Sequence, residues 1–137
     1  MRMSENEKFE TRSATIIKRK NGLVETRFRE KALIDAEGIR ENIEVRRKLC
    51  ADIPHALLTV IPPDATFVTP TMTVDPFPEA KDRARITAIA LVAPIGVTGL
   101  MARLYFSCFP AVAVTRIFDH EGTAVRWLEE RLTVTEG

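Results

Sequence analysis

The sequence predicts an α/β fold: one mixed, mostly parallel five-stranded sheet, with elements in the order ββαβαβαβα and a hairpin at the N-terminus. Three observations predict it. Two alternating, charged segments flank Asn21-Gly22, and Asn-Gly supplies the positive φ angles of a tight hairpin turn. Later, short apolar runs rich in branched residues alternate with segments of helical length, as in a parallel sheet covered on both faces. Prolines 94 and 110 fall at the seams between these runs, where helices and strands stop.

In chain order, the hairpin strands are expected at about 9–18 and 23–29. Helix one follows in "DAEGIRENIEVRRKLC", with Asp35 as N-cap and Glu37 favouring the first turn. Ala36, Ile39, Ile43 and Cys50 share one face of it. Arg46 falls on the same stripe and is expected to snorkel past the core edge. "HALLTVIP" reads as strand three. A loop rich in Thr and Pro comes next, and Asp75-Pro76 has the pattern of an N-cap with proline at N1, opening helix two through about Arg85. Strand four is Ile86–Ala93, helix three Ile95–Phe109, strand five Ala111–Phe118 and helix four about 120–132, with Asp119 as cap. On helix four, Ala124, Trp127, Leu128 and Leu132 form an apolar stripe. A single domain over residues 8–132 is expected, between a flexible start (1–7) and a short tail (133–137).

Bulk composition narrows the function. The 137 residues are 45% hydrophobic and 28% charged, with a net charge of +1. A general nucleic-acid binder carries a strongly basic face. Here the first 50 residues hold 13 basic and 9 acidic side chains, and the remainder 7 and 10, a tilt that solvated faces explain. Between Ile86 and Thr115 only Arg103 is charged, but the prolines cut this run below the roughly 20 residues a membrane span needs. No span is expected, and "MRMSENEKFE" has no apolar stretch of a signal peptide. Cys50 and Cys108 lack a CxxC or Cys/His cluster, which predicts buried free thiols and a reducing, cytoplasmic setting.

Candidates for chemistry are few. His55 precedes a buried strand, and His120 opens a helix beside Asp119. Neither shows a triad-like context, and the readings are a core histidine and a surface one. Asp64, Asp75, Glu79 and Asp82 do not have the spacing of a calcium loop. "PIGVTG", with Gly96 and Gly99, lacks the full dinucleotide fingerprint. No metal, cofactor or catalytic residue is therefore assigned, and no enzyme is expected; reviving one would take a pocket in which His55 meets Asp64 or Asp119. Helix three is the unusual element. Leu100, Met101, Leu104, Tyr105, Phe106 and Phe109 surround nearly its whole circumference. Such a helix needs a second cover, for which a second copy of the chain, a homodimer, is preferred and a bound hydrophobic ligand is the alternative.

Taken together, Asn21-Gly22, Glu41-Asn42-Ile43, "AVAVTRIF" and "FDHEGTAVRWL" over about residues 8–132 resemble the STAS domain of anti-sigma-factor antagonists, and more closely the small bacterial SpoIIAA-like proteins. The resemblance implies a SpoIIAA-like fold and a non-enzymatic protein-interaction or regulatory role with an unidentified protein partner. It implies that Trp127 and Leu128 anchor the last helix over the sheet. It also places Thr69, Thr71, Thr73 and Asp75 where such antagonists carry a regulatory loop. "TPTMTVDP" departs from the phosphorylated Asp-Ser-Ser/Thr-Gly-like turn found there, so capping threonines are the reading. SpoIIAA-like folds are similar in shape to CRAL-TRIO lipid-transfer domains, and carriage or sensing of a hydrophobic small molecule is the alternative function.

Overall fold

The computed structural model describes residues 7–19, 21–50, 53–68, 74–75, 77–93, 95–108 and 113–136. The elements are β1 (Glu7–Glu10), β2 (Ala14–Lys18), β3 (Leu23–Phe28), β4 (Leu33–Ile34), α1 (Ala36–Cys50), β5 (His55–Val60), β6 (Thr66–Phe67), α2 (Ala80–Arg85), β7 (Ile86–Val92), α3 (Val97–Cys108), β8 (Val114–Phe118) and α4 (Glu121–Glu136). The main sheet runs β1-β2-β3-β5-β7-β8, with β4 and β6 forming a separate parallel pair. β1, β2 and β3 are antiparallel neighbours, and β3, β5, β7 and β8 are parallel.

The sheet is thus mixed and mostly parallel, as expected, but it has six strands instead of five. The segment read as one strand over 9–18 is two, folded back at Thr11-Arg12-Ser13. Thr11 Oγ1 accepts from the Ala14 N–H (3.1 Å) and donates to Asn42 Oδ1 (2.6 Å). The Arg12 N–H donates to Glu41 Oε1 (3.1 Å), and its guanidinium meets Asp35 at 2.7 Å. Ser13 Oγ accepts from Asn42 Nδ2 (3.2 Å). The turn is therefore held by α1, a partner about thirty residues away, which alternation within the segment does not reveal.

The second hairpin turns at Asn21-Gly22 as expected, but of these two residues only Gly22 takes a positive φ. Gly22 has φ 90°, and Asn21 Oδ1 accepts from the Leu23 N–H at 3.2 Å. Asp35 caps α1, its Oδ1 accepting from the Gly38 N–H at 2.8 Å. Helix two departs from expectation. Asp75 accepts from the Phe77 N–H (2.9 Å) and so closes a local turn. Pro78 disfavours helix at the residue before it, and α2 begins at Ala80, flanked by Glu79 with no side-chain cap. α4 continues to Glu136 because no Pro or Gly interrupts it after Leu132.

Strand order increases in one direction from β3 to β8. Right-handed crossovers then place every intervening connection on the same face. That face, the α1 face, buries Ala14, Ile16, Val24, Phe28, Leu57, Ile61, Ile89 and Leu91 beneath α1, Phe77 and α3. α4 comes after the last strand and turns back over the other face, packing Ala124, Leu128 and Leu132 on Leu23, Ala56, Leu58, Ala88 and Ala90. No helix among the described residues is long and apolar enough to cross a membrane.

Trp127 is not the deep anchor of α4. It is half-buried at the rim, its ring 5.6 Å from that of Phe118 and under the Arg131 guanidinium at 4.9 Å. Leu128, by contrast, has no exposure. Leu128→Ala is expected to cost about 2–5 kcal/mol and Trp127→Ala less than that, measured as shifts in denaturant midpoint. A Trp127→Ala cost equal to or above that of Leu128→Ala would contradict this division of labour.

Candidate functional site

Between the α1 face and its covering helices lies a half-open cavity of about 80 Å³. Its floor is sheet: Thr26 and Phe28 from β3, Leu57, Thr59 and Ile61 from β5 and its end, and Ile89 from β7. Its walls are Ile39, Asn42, Ile43 and Arg46 from α1, Phe67 from β6, Phe77, and Tyr105 from α3. Alternation along each strand sends these floor residues to one side. Thr26 and Thr59 are direct cross-strand partners in the β3–β5 register, so their side chains stand next to each other. The rows on either side are Val24–Leu57 and, extending the register by one, Phe28–Ile61. Both threonines are half-buried, and their hydroxyls bond no other described residue and are open to solvent.

The walls owe their shape to particular sequence features. The short β4–β6 pair brings Phe67 over the floor, with its ring 6.3 Å from that of Tyr105. Tyr105 is 3% exposed and donates to the Val74 carbonyl at 2.6 Å. Burial holds its phenol well above the ordinary range, so it remains a donor.

One wall is polar and buried. Along α1 the inward line is Gly38, Asn42, Arg46 and Cys50, and the expected snorkelling of Arg46 does not occur. Its residue exposure is 4%. Arg46 lies against the Phe77 ring at 5.6 Å and forms a two-pronged pair with Asp82 of α2, NH1 to Oδ1 at 2.8 Å and NH2 to Oδ2. Burial raises the Asp82 pKa, but the hydrogen bonds and charge of Arg46 outweigh it and hold the carboxyl below the usual carboxylate range. Arg46 NH1 also reaches His55 Nε2 at 3.2 Å, and His55 Nδ1 lies 2.8 Å from the Ile53 carbonyl. A guanidinium only donates, so Nε2 accepts and Nδ1 carries the proton. Desolvation first, and the Arg46 charge after it, push the His55 pKa down, against the opposing carbonyl bond. His55 is thus a neutral core residue with both ring nitrogens in use.

The other sequence candidates scatter. Asp64 accepts from the Lys31 N–H (2.9 Å), and Glu79 pairs with Arg47 (2.7 Å); neither meets His55, nor does Asp119. His120 is exposed. Cys50 is buried, and burial raises its thiol pKa, which disfavours the reactive thiolate. Thr69, Thr71 and Thr73, along with Phe109, lie outside the described residues, as do the side chains of Phe106 and Cys108. On α3, Tyr105 turns inward, Met101 is half-buried, and Leu100 and Leu104 are 57% and 47% exposed. No group of three His, Cys, Asp or Glu side chains suited to a metal occurs among the described residues. Sequence reasoning missed Thr26 and Thr59. The signal was present as a threonine at an inward position of each of two apolar strands, but their meeting depends on a register between segments more than thirty residues apart.

No family model matches the chain, and no curated protein matches it. Among solved structures the chain is similar to an uncharacterized protein from the DUF3478 family with a SpoIIAA-like fold, from Shewanella loihica PV-4. The similarity covers 90% of this chain and 92% of that chain, with 11% identity and a TM-score of 0.45.

The polar wall carries a pH signature. The His55 pKa is depressed in the fold, so its contribution is present above the unfolded value near 6.5 and is lost as pH falls through the folded one. Asp82 acts in the same direction at lower pH, its contribution present above its unfolded value near 3.8 and lost below it. Stability is expected to fall as pH drops below about 6.5, and His55→Gln is expected to flatten that limb while leaving the more acidic one. Urea midpoints against pH check this; an unchanged slope of that limb in His55→Gln would remove His55 as its source. Asp82→Ala, which strands a buried guanidinium, is expected to cost about 3–5 kcal/mol.

Proposed function

We propose that this chain is a non-catalytic binding domain of SpoIIAA-like shape whose α1-face cavity takes one small, mostly apolar molecule bearing a hydrogen-bonding group. The observation that carries the reading is the adjacent, half-buried Thr26–Thr59 pair on the floor of an otherwise largely apolar cavity. The space of about 80 Å³ well exceeds the roughly 10–15 Å³ that a single water needs. Water needs two to four polar partners, and the two hydroxyls offer those at one end only. A molecule with one polar end and an apolar body suits the whole space. The engaged nitrogens of His55 and the raised thiol pKa of Cys50 support a role without catalysis.

A second reading, association with another protein, rests on α3. Leu100 and Leu104 are one helical turn apart and both exposed, a pairing that a second copy of the chain would cover. Sedimentation velocity at tens of micromolar tests it: a dimer that Leu100→Glu abolishes is the expected result, and a 15.4 kDa species alone would end this reading.

For the cavity, thermal denaturation with phenol as probe is the direct test. Phenol at a hundredfold excess over its Kd is expected to stabilise the fold by about 2.7 kcal/mol, and Ile43→Phe, which fills the cavity from its wall, is expected to abolish that gain. No stabilisation of the unsubstituted chain by phenol or similar small apolar probes would defeat the reading.

A further inference from the structure

We infer that the cavity selects a neutral ligand whose polar group is a hydroxyl; this rests on the cavity being a ligand site, as proposed above. The charge arrangement around the cavity carries the inference. Arg46 is the one charged residue lining it among the described residues. The guanidinium is already neutralised: Asp82 takes both terminal nitrogens, and His55 shares NH1. The side chains of Arg46 and Asp82 are 5% and 9% exposed, so the pair is closed off from solvent.

An ionised ligand head would exchange water for a lining with no uncompensated charge to meet it, and desolvation of such a head is costly. A carboxylate would in addition approach a wall whose positive charge Asp82 has already claimed. A cation would face Arg46 itself. At the floor, Thr26 and Thr59 each offer one donor and two acceptor lone pairs. A ligand hydroxyl, which both donates and accepts, can satisfy one Thr in each sense. A bare carbonyl could only accept, leaving the acceptor side of the pair unused. The apolar body of the ligand would then lie among Phe67, Phe77 and Tyr105.

The test compares two probes of similar size, 1-pentanol and butyrate, by NMR titration of the full chain with the Thr26 and Thr59 methyl resonances as reporters. The expected result is saturable binding of 1-pentanol with a Kd at least about tenfold lower than that of butyrate, with both Thr methyls shifting. Valine matches the shape of threonine without its hydroxyl. The Thr26→Val, Thr59→Val double variant is therefore expected to lose about tenfold in 1-pentanol affinity, in line with net gains of about 0.5–1.5 kcal/mol per hydrogen bond. Thr59→Val alone provides the same readout with a smaller loss should the double variant fold poorly. Butyrate binding as tightly as 1-pentanol, or 1-pentanol affinity unchanged in the valine variants, would overturn the neutral-hydroxyl inference while the cavity reading stands. Binding of neither probe would overturn both.

Discussion

The single direction in which the parallel strands are laid down governs the rest of this structure. From β3 through β5 and β7 to β8 the order never reverses. With right-handed crossovers, each connection must lie on the same face. That face receives a long helix, a short one, a two-residue strand pair and a third helix; among the described residues the other receives α4 alone. The asymmetry has a packing consequence. On the α4 face, small residues at Ala56, Ala88 and Ala90 let one continuous helix settle onto the sheet. On the α1 face, pieces of different length meet at angles, and the space between them is where the cavity lies. That half-open space is lined by β3, β5, β7, β6, α1 and α3.

Polar residues on α1 sharpen the effect. A helix lying on a sheet normally turns an apolar stripe toward it. α1 turns Gly38, Asn42, Arg46 and Cys50 inward, and its partly buried isoleucines, Ile39 and Ile43, flank that line at the cavity. Asn42 holds the turn between β1 and β2, whereas Arg46 holds α2. The helix is thus positioned by directed bonds to its neighbours at both ends of the line. A buried pair such as Arg46–Asp82 adds little net stability compared with apolar side chains of the same size. Its stronger effect is geometric, because the two-pronged contact accepts one arrangement of α1 against α2. Apolar side chains pressed onto Thr26 and Thr59 from above would have filled the space instead.

How much of this was legible in the sequence depended on how local the cause was. Asn21-Gly22 sets its own φ angle, and Asp35 caps the helix that starts beside it, so both could be read directly. The branched runs at 55–60, 86–92 and 114–118 and the helices between them were legible through periodicity and prolines. The fold at Thr11–Ser13 was hidden because its partners, Glu41 and Asn42, come from α1. Helix two began late because Pro78 and the turn at Asp75 act against a cap pattern that looked complete. Arg46 looked like a snorkelling residue since its partner, Asp82, is 36 positions away. The cavity was the least legible feature of all. It exists only once the β3–β5 register sets two threonines next to each other, and nothing within either strand states that register.

The α4 face shows how the fold manages where the helical cover ends. α4 crosses β7 and β5, and Leu132 reaches the backbone of Gly22 at the start of β3, its Cδ2 3.5 Å from where a Cβ would stand. Farther along β3 the face carries charge instead of helix. Glu25, at 1% exposure, accepts from Arg19 (2.6 Å) and from Arg27 (2.8 Å). Arg27 in turn pairs with Glu121 in the first turn of α4, where a carboxylate also suits the helix dipole. This chain of alternating charges does two things. It keeps a buried carboxylate compensated, and it fixes the N-terminal end of α4 to the strand that its C-terminal part reaches through Leu132. One strand thus carries the attachment of α4 on one side and, through Thr26, the floor of the cavity on the other.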